Sequence, residues 1–176
     1  MGDIGRFMPE LIVLVFAGLV MVADLALVDK RPLPWLALLG LVASAGWTGG
    51  LVLAGQQGKT TFGDVLRFDS FSIFFLFLFP AVAALVILAS VDFARQMADR
   101  QGEFYALVLV IAVGAMLLGG ANDLITIFVS LELTSVSQYI LAGFMRDTRS
   151  SEAGLKYLLL GAVSTATLLY GMALLF

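Results

Sequence analysis

The 176-residue chain is 61% hydrophobic and 13% charged, carries a net charge of −3, and contains neither cysteine nor histidine; its mean hydropathy is +1.03. So few charges cannot cover a water-exposed surface, and they gather between long apolar runs, which excludes a soluble domain and places the chain in a lipid bilayer. The missing cysteine and histidine exclude a disulfide framework, a thiolate zinc site, the usual haem and iron–sulfur ligation and Ser-His or Cys-His nucleophiles, and ten scattered Lys and Arg residues argue against nucleic acid as a partner.

A hydrocarbon core of ~30 Å takes roughly 20 apolar residues per helix. Six such runs follow in chain order: Phe7 to Val28, Pro34 to Ala54, Phe68 to Val91, Phe104 to Gly119, Asn122 to Phe144, and Ala153 to Phe176. The first is too long for a signal-peptide core and lacks a small-residue cleavage pattern, so it reads as a retained span. Pro9 falls in the tolerant first turn of that run, whereas Pro80 lies inside the third and implies a kink or a packed neighbour. No strand alternation is visible, so a barrel is excluded and the fold is predicted to be all-α, a polytopic transmembrane bundle of about six helices. Gly46 with Gly50, and more loosely Ala115 with Gly119, have the spacing that lets membrane helices approach closely.

Six spans put successive loops on alternating sides. Arg6, Lys59 and Arg67 fall on one side; Lys30, Arg31, Arg95, Arg100, Arg146, Arg149 and Lys156 fall on the other. Positive residues favour the cytoplasmic side, which predicts an N-terminus outside.

Glu132 is the most informative residue. Counting ~1.5 Å per residue from Asn122 puts it about 15 Å deep, near mid-bilayer. An ionised carboxylate there costs roughly 2.5 to 3.5 kcal/mol, so such a group is protonated, paired or turned to internal water, all of which suit a proton site. Ser135 and Tyr139 share its face at i+3 and i+7, and Ser130, Thr134, Ser137 and Gln138 lie on the same helix. Two readings stand side by side: a proton-carrying group among water-holding hydroxyls, or a protonated glutamate acting as polar glue among ordinary small packing residues. Lys156, about three residues into the last run, either snorkels to the interface or sits buried and able to exchange a proton. Asp24 reads as interfacial, Asn122 and Asp123 as the opening of the fifth helix, Glu103 as that of the fourth, Arg67 and Asp69 as interfacial anchors, and Arg146, Asp147 and Arg149 as a solvated loop.

Several stretches carry a resemblance: Gly102-Glu-Phe-Tyr-Ala-Leu; Ala121-Asn-Asp-Leu leading into Phe128-Val-Ser-Leu-Glu-Leu-Thr-Ser-Val-Ser-Gln-Tyr-Ile-Leu-Ala-Gly-Phe144; and Ser151-Glu-Ala-Gly-Leu-Lys-Tyr-Leu-Leu-Leu-Gly-Ala162. With the Pro9-Glu10 start and Phe68-Asp-Ser-Phe-Ser-Ile-Phe-Phe75, they resemble the N subunit family of proton-pumping NADH:quinone oxidoreductase, respiratory complex I. The related L and M subunits and cation/proton antiporters usually place tryptophan before the central glutamate, where Leu131 stands here. A relative in photosynthetic membranes that accepts electrons from ferredoxin stays open as an alternative.

The resemblance implies the start of an antiporter-like inverted-repeat fold, with residues 1–101 as three leading helices and 102–176 as the first three helices of an incomplete five-helix repeat. It maps Glu132 onto a proton-relay glutamate and Lys156 onto a lysine of the same polar pathway, with Ser135, Tyr139, Ser130 and Thr134 in support. The helix-seven lysine, the broken helix and the second repeat have no counterpart before Phe176, so six helices alone are not expected to pump and a partial chain or split subunit is expected. No cofactor is expected in this chain; NADH, FMN, iron–sulfur clusters and quinone are expected elsewhere in the assembly. The expected partners are the bilayer and other membrane subunits of complex I, including another antiporter-like subunit, with no nucleic acid. The expected location is the bacterial inner membrane or, alternatively, a thylakoid or other energy-transducing membrane. Two alternatives stay open on the residues alone: a stand-alone cation/proton antiporter component and a structural scaffold without transport.

Overall fold

The computed structural model describes residues 3–27, 29–95, 97 and 100–175. Six long helices follow in order: α1 (Asp3–Ala26), α2 (Leu33–Leu53), α3 (Ser70–Arg95), α4 (Gln101–Gly120), α5 (Leu124–Ala142) and α6 (Thr148–Leu175). All six are long and apolar enough to cross a membrane. The predicted ends of the first and last runs, Val28 and Phe176, lie outside the described residues.

Between α2 and α3 the chain forms a short antiparallel hairpin of β1 (Lys59–Thr61) and β2 (Leu66–Phe68), with Thr61 opposite Leu66. The all-α bundle of six spans stands, and this hairpin is an addition to it that the hydropathy pattern did not show. Three-residue strands are too short for a hydropathy window to register, and the turn that joins them is made by Phe62, Gly63 and Asp64, all with positive φ. The hairpin is tied to both neighbours. Arg6 donates to the Thr60 carbonyl at 2.6 Å, the Asn122 backbone N–H to Val65 at 3.0 Å, and Asn122 Nδ2 to Asp64 O at 2.8 Å.

These bonds place the start of α1, the hairpin and the α4–α5 turn at one end of the bundle. At the opposite end Asp24 reaches the start of α4, and Arg100 and Arg146 line one small cavity. The loops therefore sort into the two groups that alternation requires.

Helix α4 is the centre of the bundle, packed against α1, α3 and α5. Its buried Tyr105, Leu109, Val113 and Met116 join Val13, Val20, Leu41, Leu76 and Ile87 in one core. Burial falls toward the C-terminus: α5 buries only Ser130 and Ser137, and α6 only Gly154. The apolar remainder of α6 is exposed, as lipid or further helices require.

Helix α1 begins at Asp3 rather than Phe7, so Pro9 is an interior residue instead of a first-turn one. Its missing N–H frees the carbonyl of Gly5, four residues back. Trp47 Nε1 donates to that carbonyl at 2.9 Å, and Ser44 Oγ donates to the Pro9 carbonyl at 2.8 Å. The proline is thereby turned into a joint between α1 and α2. Gly46 and Gly50 have open space around them within the chain, so this expected close approach is absent. Close packing occurs at other glycines: a Cβ on Gly102 would lie 2.2 Å from Asp24 Cβ, and one on Gly119 2.6 Å from Phe75 Cβ.

Asp24 is buried rather than interfacial. Its Oδ1 lies 2.9 Å from Lys30 Nζ and accepts the Gly102 N–H at 3.1 Å. The ammonium of Lys30 also donates to the Asp24 carbonyl. One ion pair thus closes the α1–α2 turn onto α4. Replacing Lys30 by Met leaves a buried carboxylate without its cation and is expected to cost about 3 kcal/mol. SDS-unfolding of the full-length protein measures this, and the Asp24→Asn/Lys30→Met pair is expected to recover most of the loss.

Candidate functional site: the α5–α6 seam

Helix α5 opens at Asp123, an extended residue whose side chain accepts the Thr126 N–H at 2.9 Å and the Thr126 hydroxyl at 2.6 Å. This is an N-cap, and it sets the helix two residues later than Asn122, which instead serves the hairpin. The Thr126 hydroxyl, followed by its backbone N–H, holds the Asp123 carboxyl below its ordinary value of 3.8.

Helix α6 begins at Thr148, five residues before the expected Ala153. Asp147 explains the shift: its carboxylate accepts the Ser150 N–H at 2.6 Å, and its carbonyl the Ser151 N–H at 2.9 Å. Asp147 therefore caps a helix rather than sitting in a solvated loop, and Arg149 is helical. Lys156 consequently lies about 12 Å along α6, not 5 Å.

The two helices run antiparallel in a single register. Near the α5–α6 turn Gly154 meets Gly143, so close that a Cβ on Gly154 would fall 2.9 Å from Gly143 Cα. Further along, the Tyr157 hydroxyl donates to Gln138 Oε1 at 2.8 Å, and the Tyr139 and Tyr157 rings meet edge to face at 4.9 Å. Gly161 makes room for Tyr139, whose hydroxyl would lie 1.9 Å from a Cβ there. Deepest in the seam, Thr165 Oγ1 donates to Glu132 Oε1 at 2.7 Å. Glu132 is half-buried and stands about 12 Å along α5 from Leu124.

The expected site residues separate into three groups. Glu132 and Tyr139 come together along α6, and the half-buried Ser135 lies between them on the same helical face. Ser130 and Thr134 turn toward α4, where Thr134 Oγ1 packs on Gly114. Their hydroxyls donate within α5, Ser130 to the Thr126 carbonyl at 2.6 Å and Thr134 to the Ser130 carbonyl at 3.0 Å, and Ser137 does the same to Leu133 at 2.9 Å. Lys156 stands apart. It is exposed and pairs with Glu152 one turn earlier at 2.5 Å, about 14 Å along the axis from Thr165. Among the described residues Glu132 forms no ion pair.

Thr165, Gln138 and Tyr157 complete the seam. Their signal is the register itself: a short turn makes α5 and α6 antiparallel neighbours, which carries the polar Ser164-Thr165-Ala-Thr167 stretch of α6 back to the depth of Glu132. Among the described residues no cluster of three or more acidic side chains could hold a metal ion.

This geometry defines a polytopic membrane protein with a carboxyl at mid-helix between antiparallel spans. Comparison with known proteins places it further. Residues 121–176 match the family described as NADH:quinone oxidoreductase/Mrp antiporter, transmembrane. Over 97% of the chain it is 43% identical to NADH-quinone oxidoreductase subunit N of Dehalococcoides mccartyi, covering 35% of that protein. It is 42% identical over 97% of its length to NAD(P)H-quinone oxidoreductase subunit 2, chloroplastic, of Chlorokybus atmophyticus, covering 34% of it. A chain of the membrane-bound sulfane sulfur reductase, an archaeal respiratory membrane complex, has the same fold with a TM-score of 0.77 at 20% identity, over 98% of this chain and 37% of that one. Over nearly all of its length the chain is similar to NADH-quinone oxidoreductase subunit N proteins, and it spans about a third of the length of the curated relatives it matches.

Two predictions follow from the seam's geometry. Gly154→Val is expected to push α6 off α5 at a cost of about 1 to 3 kcal/mol, read as a lower melting temperature of the full-length protein in detergent. Because the Asp123 carboxyl is held low, the stability its cap supplies is present above the ordinary aspartate range and lost as pH falls through the lowered value. Thr126→Val is expected to move that loss to higher pH, measured by amide exchange at Ile125 and Ile127 against pH.

Proposed function

We propose that this chain is part of the membrane arm of a proton-translocating NADH:quinone oxidoreductase and that Glu132 carries a proton in it. The single observation behind this reading is the Glu132–Thr165 bond in the middle of two antiparallel spans. A hydroxyl donor orients one carboxyl oxygen without neutralising the group, so the other oxygen is left to take or release a proton. The family supplies the chemical setting, with NADH, FMN, iron–sulfur clusters and quinone in other subunits.

Lys156 joins this pathway through a second partner rather than by direct exchange, since it faces away from Glu132 with Glu152 beside it. Helices supplied by the rest of the subunit or by another antiporter-like subunit cover this exposed face of α6. Moving a charge from about 4 to 8 Å at an effective dielectric near 20 changes its interaction by roughly 2 kcal/mol, about a thirtyfold change in occupancy of a coupled site. That is how redox events elsewhere load or unload a proton. Residues 1–101 then serve as a leading three-helix unit and 102–176 as the start of the transporting repeat. The N-terminus faces outside, in a bacterial inner membrane or a thylakoid-like one.

The test is Glu132→Gln in the full-length subunit within the assembled complex. Proton translocation is expected to fall by about tenfold or more, on the scale of losing a proton-transfer group, with assembly intact. Unchanged pumping would refute the proposal. A stand-alone antiporter would instead transport in vesicles without NADH or quinone, and a scaffold would lose stability with no change in flux.

A further inference from the structure

A second acidic side chain lies far from the α5–α6 seam and is held quite differently. Glu10 is 6% exposed, and among the described residues no protein group pairs with its Oε2. One turn earlier on α1, Arg6 directs one guanidinium nitrogen to the Thr60 carbonyl at 2.6 Å and toward Asp3 at 3.5 Å, yet its buried Nε is likewise without a protein partner. Spacing of i, i+4 stacks the two side chains on one face of α1.

Both residues line one cavity of about 20 Å³, whose other walls include Thr61, Arg67, Ser72 and Gly120. A water molecule needs roughly 10 to 15 Å³ of such space and two to four polar partners. An N–H donor and a carboxyl acceptor with no protein partner, sharing a cavity of this volume, meet both conditions. Ser72 Oγ is already engaged with Asp69, whereas Arg6 Nε and Glu10 Oε2 are buried without a protein partner among the described residues, with Thr61 and Arg67 as further polar walls. Arg67, on the exposed side of the hairpin, connects the cavity to the bundle's end.

We propose that this cavity is a site for one ordered water bridging Arg6 Nε and Glu10 Oε2, and that Glu10 is a second protonatable group of the chain, exchanging its proton through that water. The step balances with water alone. The O–H bond of the carboxyl breaks as the water oxygen accepts its proton, and a proton leaves the far side of the water toward the hairpin end. The charged groups facing Glu10 are Arg6 and, through it, Asp3 on α1, and Arg67 on β2; on α3 and α4 the cavity walls are Ser72, Leu76 and Gly120. Two cationic side chains thus line the same cavity as the carboxyl, and the water is the group placed to take its proton. This site does not rest on the role of Glu132, which lies on another helix.

Two measurements on the assembled, full-length protein test it. A high-resolution map of the wild type is expected to show density within hydrogen-bond distance of both Arg6 Nε and the Glu10 carboxyl. Direct Arg6–Glu10 contact with nothing between them overturns the water site. In infrared difference spectra across a pH titration, a carboxylic C=O band that shifts in D2O is expected in the wild type, lost in Glu10→Gln and displaced in Arg6→Met. A wild type without such a band, or an identical band in Glu10→Gln, overturns the proton site. If Glu10→Gln fails to assemble, the wild-type map and the Arg6→Met spectrum decide, an unchanged band in Arg6→Met counting against the proposal.

Discussion

Inside hydrocarbon a polar group has no water to turn to, so each one must be answered by another part of the chain. Much of this architecture is the working-out of that constraint. Where Pro9 withdraws an N–H, Trp47 of α2 reaches the stranded Gly5 carbonyl, and Ser44 takes the carbonyl of Pro9 itself. At the bundle's end the hairpin strands answer one another, and Asn122 closes the ends of Val65 and Asp64 onto the α4–α5 turn. Serine and threonine inside α5 answer to their own helix, which keeps its α4-facing side dry enough to pack on Gly114.

The same constraint grades the three acids inside the bundle. Asp24 receives an ammonium and a backbone N–H, an arrangement that fixes a charge and locks the α1–α2 turn to α4. Glu132 receives a single neutral hydroxyl. Glu10 has an oxygen with no protein partner and a small cavity beside it. A fully answered carboxylate is a structural part, because disturbing its proton would break several bonds at once. A carboxyl held by one neutral bond, or by none, keeps its proton free to move. That difference supports assigning proton chemistry to Glu132 and Glu10 while leaving Asp24 to architecture.

The six spans could be read from the chain because a bilayer imposes a length on every apolar run, and the loop groups because alternation follows from their number. Helix ends were less legible. The opening of α5 at Asp123 was readable as a cap, but the cap at Asp147 is a local hydrogen bond that hydropathy does not register, and it moved the start of α6 by five residues and Lys156 by about 7 Å along its helix. The hairpin escaped because its strands are only three residues long, too short to show alternation beside the Gly63-Asp64 turn. Glu132 stood out since a carboxylate in an apolar run is costly wherever it points. Its partner Thr165 did not, because a threonine in a membrane helix is cheap, and only the antiparallel register of α5 and α6 reveals that the two share a depth. The Gly46 and Gly50 spacing misled for the complementary reason: spacing shows that a close approach is possible, and only packing decides whether a neighbour is there.

The position of the seam within the bundle bears on what Glu132 can do. Helix α4 sits under layers of neighbours, whereas α6, which supplies Thr165, is the least covered span and buries only Gly154. A neutral hydrogen bond contributes about 1 kcal/mol net, whereas withdrawing Lys30 from Asp24 strands a buried charge at about three times that cost. Exchanging that one partner of Glu132 therefore costs little, while the α1–α4 core, joined by buried side chains and an ion pair, stays in place. An electrostatic event at the exposed Lys156–Glu152 pair acts on that same helix. This gives the proposed coupling a physical route through the exchange of one neutral hydrogen bond, with no unfolding of the bundle around it.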